Sequence, residues 1–141
     1  MASNADAVTV YWESCWNDRR TERLVEVFHD PYTHGRTQVS PARMAAIIDE
    51  TVASLPDVQV CVDETEVLSD VVITRSRFIA THGGVILGLD PTGKPINVPT
   101  LDIFFFRDGK VARYWHLTDH LPILVGIEAE VRIGDQVAKL D

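Results

Sequence analysis

The sequence predicts an α+β fold, a cone-shaped α+β barrel in which N-terminal helices pack on a curved antiparallel sheet. Three observations carry that prediction. Up to about residue 54 the apolar residues recur at helical three- and four-residue spacing. From Val58 onward they fall into short β-rich runs separated by turn signals, and helices followed by a strand meander imply helices laid on one sheet face. At 141 residues the chain is long enough to bury a core without disulfide or metal staples, so one domain over residues 1–141 is expected.

The first helix is expected over residues 7–18, where Val8, Tyr11, Trp12, Cys15 and Trp16 form an apolar stripe. A second helical piece, residues 20–28, carries Leu24, Val25, Val27 and Phe28. It ends at His29-Asp30-Pro31, because proline disfavours helix in the residue before it. The chain then turns through residues 32–36. Ser40-Pro41 supplies an N-cap and a first-turn proline for a helix over residues 42–54, closed by Leu55-Pro56-Asp57. Strands are expected over residues 58–68, 71–82, 94–107 and 110–118, joined by Ser69-Asp70, Asp90-Pro91-Thr92-Gly93 and Arg107-Asp108-Gly109. The tail from Glu128 reads two ways: Val131, Ile133 and Val137 alternate like a strand, while its charges suit a solvated end.

Composition narrows the function. A net charge of -8 repels phosphate backbones, which sets nucleic acid aside as a partner. No apolar run approaches the roughly 20 residues that span a bilayer, and the N-terminus lacks the basic and apolar regions of a secretory signal. A cytoplasmic location without membrane contact is the expectation. Cys15 and Cys61 have no paired spacing and read as reduced packing residues. No metal-protease, phosphate-loop or dinucleotide motif is present, and His29, Asp30 and His34 make a poor ligand set, so neither a cofactor nor a metal is expected.

Four segments in order carry a resemblance: Thr81-His82-Gly83-Gly84, then residues 88–94 around Asp90-Pro91-Thr92-Gly93, then Phe106-Arg107-Asp108-Gly109-Lys110-Val111, then Tyr114-Trp115-His116-Leu117-Thr118-Asp119. Together they resemble the SnoaL-like polyketide cyclase family, with a weaker match at Trp12, Trp16 and Tyr32-Thr33-His34. The resemblance implies a nuclear-transport-factor-two-like cone holding an apolar ligand, no cofactor, and acid–base ring closure by the aspartate of a W-x-x-x-D motif, here Trp115 and Asp119. Two departures bear on substrate and reaction: Arg113 stands where the family commonly has an acid, and Leu124-Val125-Gly126 replaces its usual glutamine-leucine-glycine.

Along a strand, residues two apart share a face, so Trp115, Leu117 and Asp119 are expected to point together into the cone. By position alone Asp119 reads as a turn aspartate before Leu121-Pro122. With the resemblance it becomes the acid–base residue, moving a proton at a carbon or carbonyl oxygen. His116, its neighbour in the strand, is expected to face outward. His82 and His34 are the expected catalytic helpers, His82 re-aimed by a bulge or else pinning its hairpin, and His34 in a loop at the cone's mouth. Trp12, Trp16, Tyr32, Phe78, Leu101, Ile103 and Trp115 are expected to contact substrate, with strand parity left open.

The function expected from these readings is a cofactor-independent cyclase or isomerase acting on an apolar, polyketide- or terpenoid-like carbonyl substrate. Two alternatives stand beside it: epoxide opening with Asp102, weakened because Thr100 lies where an arginine would be wanted, and non-catalytic binding of a small molecule. A homodimer is expected, using Phe104, Phe106 and Tyr114 on the outer sheet face.

Overall fold

The computed structural model describes residues 2–128 and 130–138. Ser3 caps the first helix, α1 (Asn4–Thr9), through a reciprocal pair in which its hydroxyl accepts from the Asp6 N–H and the Asp6 carboxylate accepts from the Ser3 N–H. α1 runs directly into a π-helix, Val10–Asn17, closed by the Asp18 N–H donating to the Glu13 carbonyl five residues back. The expected helix is therefore present, but its second half is underwound. That register lets Tyr11 and Trp16, five apart, both reach the cavity described below.

The second helical piece is a 3₁₀ turn, Thr21–Arg23, followed by one turn of α2, Leu24–Val27. The turn expected over residues 32–36 is corrected: β1 (Phe28–His34) is a strand, and it forms a hairpin with β2 (Thr37–Val39) around Gly35. Pro31 is tolerated because the β1 ladder is interrupted between Phe28 and Thr33, where no paired N–H is required. α3 (Pro41–Ser54) begins at the expected Ser40 cap, whose hydroxyl accepts from the Arg43 N–H.

β3 (Gln59–Leu68), β4 (Val71–Thr81), β5 (Pro95–Arg107) and β6 (Lys110–Thr118) then form the meander. The sheet order is β2-β1-β6-β5-β4-β3. It is mixed and not wholly antiparallel, because β1 returns beside β6 in parallel. After β6 comes α4 (Leu121–Gly126), a short helix hidden in the sequence by Leu121-Pro122, which reads as a turn although proline suits a first helical turn. The tail forms a separate hairpin of β7 (Val131–Ile133) and β8 (Gln136–Ala138), which resolves its ambiguity towards strand; residues 139–141 lie outside the described residues.

The helices cover the concave sheet face, and the parity of each strand is set by that contact. On β5 the even positions from Ile96 to Phe106 are buried, so Leu101 and Ile103 face out. On β6 an extra residue, Ala112, is accommodated between the Phe105–Arg113 and Phe106–Val111 pairs. Val111, Tyr114, His116 and Thr118 consequently turn inward, and Trp115 and Leu117 outward, Leu117 with 62% of its surface exposed. Phe104, Phe106 and Tyr114, expected on the outer face, are core residues: Phe104 stacks on Tyr114 at 4.8 Å, and Tyr11 meets both rings edge-on. The outer apolar face instead carries Leu101, Ile103, Trp115 and Leu117.

Candidate active site

Two inward positions on neighbouring strands build the site. Asp102 on β5 lies opposite His116 on β6 in the ladder, so their side chains rise together from the concave face. Asp102 is wholly buried. Its Oδ1 stands 2.5 Å from His116 Nδ1 and also accepts from the Tyr114 hydroxyl. A carboxylate can only accept, so Nδ1 carries a proton; in the neutral imidazole Nε2 then presents a lone pair, to which the Thr118 hydroxyl, 2.7 Å away, can donate. Burial pushes the Tyr114 hydroxyl well above the usual tyrosine range, with the charges of Tyr11 and Asp102 adding to it, so Tyr114 stays protonated and donates.

His116 opens onto a cavity of about 380 Å³. Its polar lining comes from Tyr11, His34, Thr51, Tyr114, His116, Thr118 and His120. The remaining lining is apolar, from Trp16, Met44 and Ile47 of the helices to Phe78 and Val98 of the sheet. His34 stands on β1, the strand next to β6, with its ring 4.9 Å from that of Tyr114. Its Nδ1 is buried without a protein partner. Burial, with the nearby His116, holds its pKa below the ordinary histidine value, Asp102 only partly offsetting them. His34 is therefore a neutral imidazole with an uncommitted nitrogen.

The expected site residues divide. Trp16, Phe78 and His34 line this cavity, although His34 comes from a strand and not a loop. Trp12 is buried with its indole N–H donating to Thr74 Oγ1 at 3.2 Å, and it faces a smaller cavity of about 300 Å³ between α1 and the sheet. Tyr32 packs on Phe28 in the core at 4.3 Å. His82 is buried outside the cavity lining, where its Nδ1 is 3.0 Å from Thr92 Oγ1 and its backbone bonds to Gly93 and Lys94, pinning the segment between β4 and β5.

Leu101, Ile103 and Trp115 lie on the outer face, away from the cavity, for the parity reason given above. Asp119 is exposed, and its Oδ1 accepts the Leu121 N–H at 3.1 Å, the turn arrangement that its position before Leu121-Pro122 suggests. His116, expected to be exposed, points inward. Asp102 and His116, 14 residues apart on consecutive strands and facing in space, are the pair that residue-by-residue reading does not bring together; equal inward parity on adjacent strands was the available signal. Thr100 occupies the inward position beside Asp102, and no arginine is among the described residues lining the cavity. Nor is any cluster of three or more His, Cys, Asp or Glu side chains among the described residues arranged to hold a metal.

A family profile described as SnoaL-like polyketide cyclase matches residues 6–126, from α1 to the end of α4. The chain belongs to that family. Solved structures of the same fold include IdmH, a candidate polyketide cyclase from Streptomyces antibioticus, with TM-score 0.80 and 22% identity over 89% of this chain and 99% of that one. TsrD from Streptomyces laurentii aligns with TM-score 0.79 and 24% identity, over 89% of this chain and 94% of its own. AclR from Streptomyces galilaeus, described as a candidate hydroxylase, gives 0.74 and 26% over 89% and 97%. No curated protein sequence matches the chain. The Asp102–His116 pair and the cavity over it fall within the matched residues, as does Asp119. No helix among the described residues is long and apolar enough to cross a membrane.

Proposed function

We propose that this family member is a cofactor-independent cyclase or isomerase in which His116, oriented by Asp102, moves a proton of an apolar carbonyl substrate. Family membership supports an enzyme of the cyclase or isomerase type; the assignment of residues rests on the Asp102–His116 contact. A carboxylate on Nδ1 fixes the tautomer and balances the charge of the imidazolium that forms when Nε2 takes a proton. The acid–base role that the resemblance gives to Asp119 passes, in this reading, to His116.

The reaction then runs as follows. A substrate over the imidazole takes the place of the Thr118 hydroxyl, and Nε2 removes a proton from the carbon next to the carbonyl. The electron pair moves onto the carbonyl oxygen, where neutral His34 donates a hydrogen bond. The enolate carbon attacks a second carbonyl held in the same cavity, and the imidazolium returns its proton to the new alkoxide. Without a second carbonyl, return of the proton to a different carbon gives an isomerisation. Holding both reacting carbons in one apolar cavity supplies the proximity.

Deuterium incorporation next to the carbonyl of 2-tetralone in D₂O, followed by NMR, tests this reading. Incorporation above the buffer rate, lost in His116→Ala, is expected. A rate equal to buffer, or one unchanged in the variant, would overturn it. We also propose a homodimer formed through the outer apolar face around Leu101, Trp115 and Leu117; light scattering at micromolar concentration should give twice the chain mass, and Leu117→Lys should give the monomer.

A further inference from the structure

The cavity over His116 does not end at its own apolar wall. A second cavity, of about 390 Å³, shares Ile47, Thr51, Leu55, Phe78, Val98, His120 and Ile123 with the first. Beyond that common stretch the two differ in chemistry. The first lobe adds the polar groups of the site, whereas the second adds Ala80 and Ile96 from the sheet and Val85, Ile86 and Leu87 from the segment between β4 and β5, with Glu50 and Ser54 at its rim.

That segment is seated on α3. Gly84 lies so close to the last turn that a Cβ there would come within 2.8 Å of Ser54 Cα and collide with the Ser54 carbonyl, so only glycine permits the approach. His82 and Thr92 pin its other end. Ile86 and Leu89 pack with Ile96, Val98, Ile123 and Ile127, which fixes the segment against β5 and α4. Val85 and Leu87 remain 57% and 58% exposed beside the second lobe, so their apolar surface is available to an occupant there.

We infer that the substrate is amphipathic along its length: a carbonyl end in the first lobe against His116, and an extended hydrocarbon arm in the second lobe beneath Val85 and Leu87. The occupant follows from continuity with the reactive lobe and from the polarity gradient. The first lobe alone gathers Tyr11, His34, Tyr114, His116 and Thr118 to satisfy a carbonyl, with His120 and Thr51 at the junction, and an apolar arm leaves no unpaired polar group against Ala80, Ile86 and Ile96. The arm's burial supplies binding energy remote from the reacting carbons, which holds them in place over Nε2. The inference rests on the assignment of His116 to the reactive end, but its test does not depend on turnover.

Binding of a series of straight-chain 2-alkanones, from 2-hexanone to 2-dodecanone, is measured by titration calorimetry with the full chain. Affinity should rise by about fourfold per methylene, as expected for each CH₂ removed from water, until the second lobe is filled. In Leu87→Asp, at an exposed position that tolerates a polar group, and in Ala80→Phe, which fills the lobe, the longer ketones should lose that rise while 2-hexanone binds as before. Affinity independent of chain length, or a rise that persists in both variants, would overturn the inference. Loss of 2-tetralone exchange with the chain-length rise intact would instead count against His116 alone.

Discussion

Asp102 and His116 face one another across the β5–β6 ladder with 2.5 Å between Oδ1 and Nδ1, and the same oxygen holds the Tyr114 hydroxyl. One buried carboxylate therefore positions both an imidazole and a neutral donor. In Asp102→Asn the amide oxygen can still accept from Nδ1, but the negative charge that balances the imidazolium is gone. If the amide turns, its NH₂ meets two donors. The rate of 2-tetralone exchange should fall by about 100- to 10,000-fold, the range that positioned acid–base catalysis contributes, because His116 loses the charge that supports its protonated form. Circular dichroism should show the fold retained.

Asp119 provides the opposite expectation. Its carboxylate faces solvent and accepts the Leu121 N–H at the entrance to α4. Asp119→Asn should keep its exchange rate within about twofold, since surface changes away from the chemistry move free energies little. Asp119→Ala, which removes the acceptor, should lower the melting temperature slightly by loosening α4. An exchange rate in Asp119→Asn that collapsed as in Asp102→Asn would return the acid–base role to Asp119.

These two aspartates show what was legible in the sequence. The boundaries of α3 and of β3 to β6 follow from periodicity and turn residues, and β4 is bounded within one residue by Ser69-Asp70 and His82. Strand parity was not legible, because both faces of β5 and β6 are mixed. The outer face carries Leu101, Ile103, Trp115 and Leu117, while the inner one interrupts its apolar run with Thr100, Asp102, His116 and Thr118. A rule that puts apolar residues inside selects the wrong face where polar groups have been built into the core. β1 was hidden for a different reason: Pro31 mimics a break, and the partner that makes the segment a strand is β6, some eighty residues away.

Tyr114 joins the core to the site. Its ring lies among Tyr11, Phe28 and Phe104, and its hydroxyl links Tyr11, at 3.5 Å, to Asp102. Tyr114→Phe keeps the ring packing but leaves the Tyr11 hydroxyl without that acceptor and Asp102 with one donor fewer. A loss of about 1–3 kcal/mol in urea unfolding is expected, the range for an unsatisfied buried polar group. The exchange rate should fall less than in Asp102→Asn, because the His116–Asp102 contact survives.

His34 makes stability depend on pH in a definite direction. Burial, and then the neighbouring His116, lower its pKa below the ordinary histidine value, with Asp102 opposing. A group whose folded value is depressed leaves the unfolded chain binding more protons in the interval between the two values, so stability rises with pH there. The contribution is complete above about pH 6.5, the ordinary histidine value, and is lost as pH falls from there through the folded value. Urea unfolding between pH 5 and 8 should show this slope in the parent chain. His34→Gln, which keeps a polar side chain on β1 but cannot titrate, should flatten it relative to the parent. An identical slope in both would show that the acid sensitivity comes from other groups and that His34 is not held neutral by its surroundings.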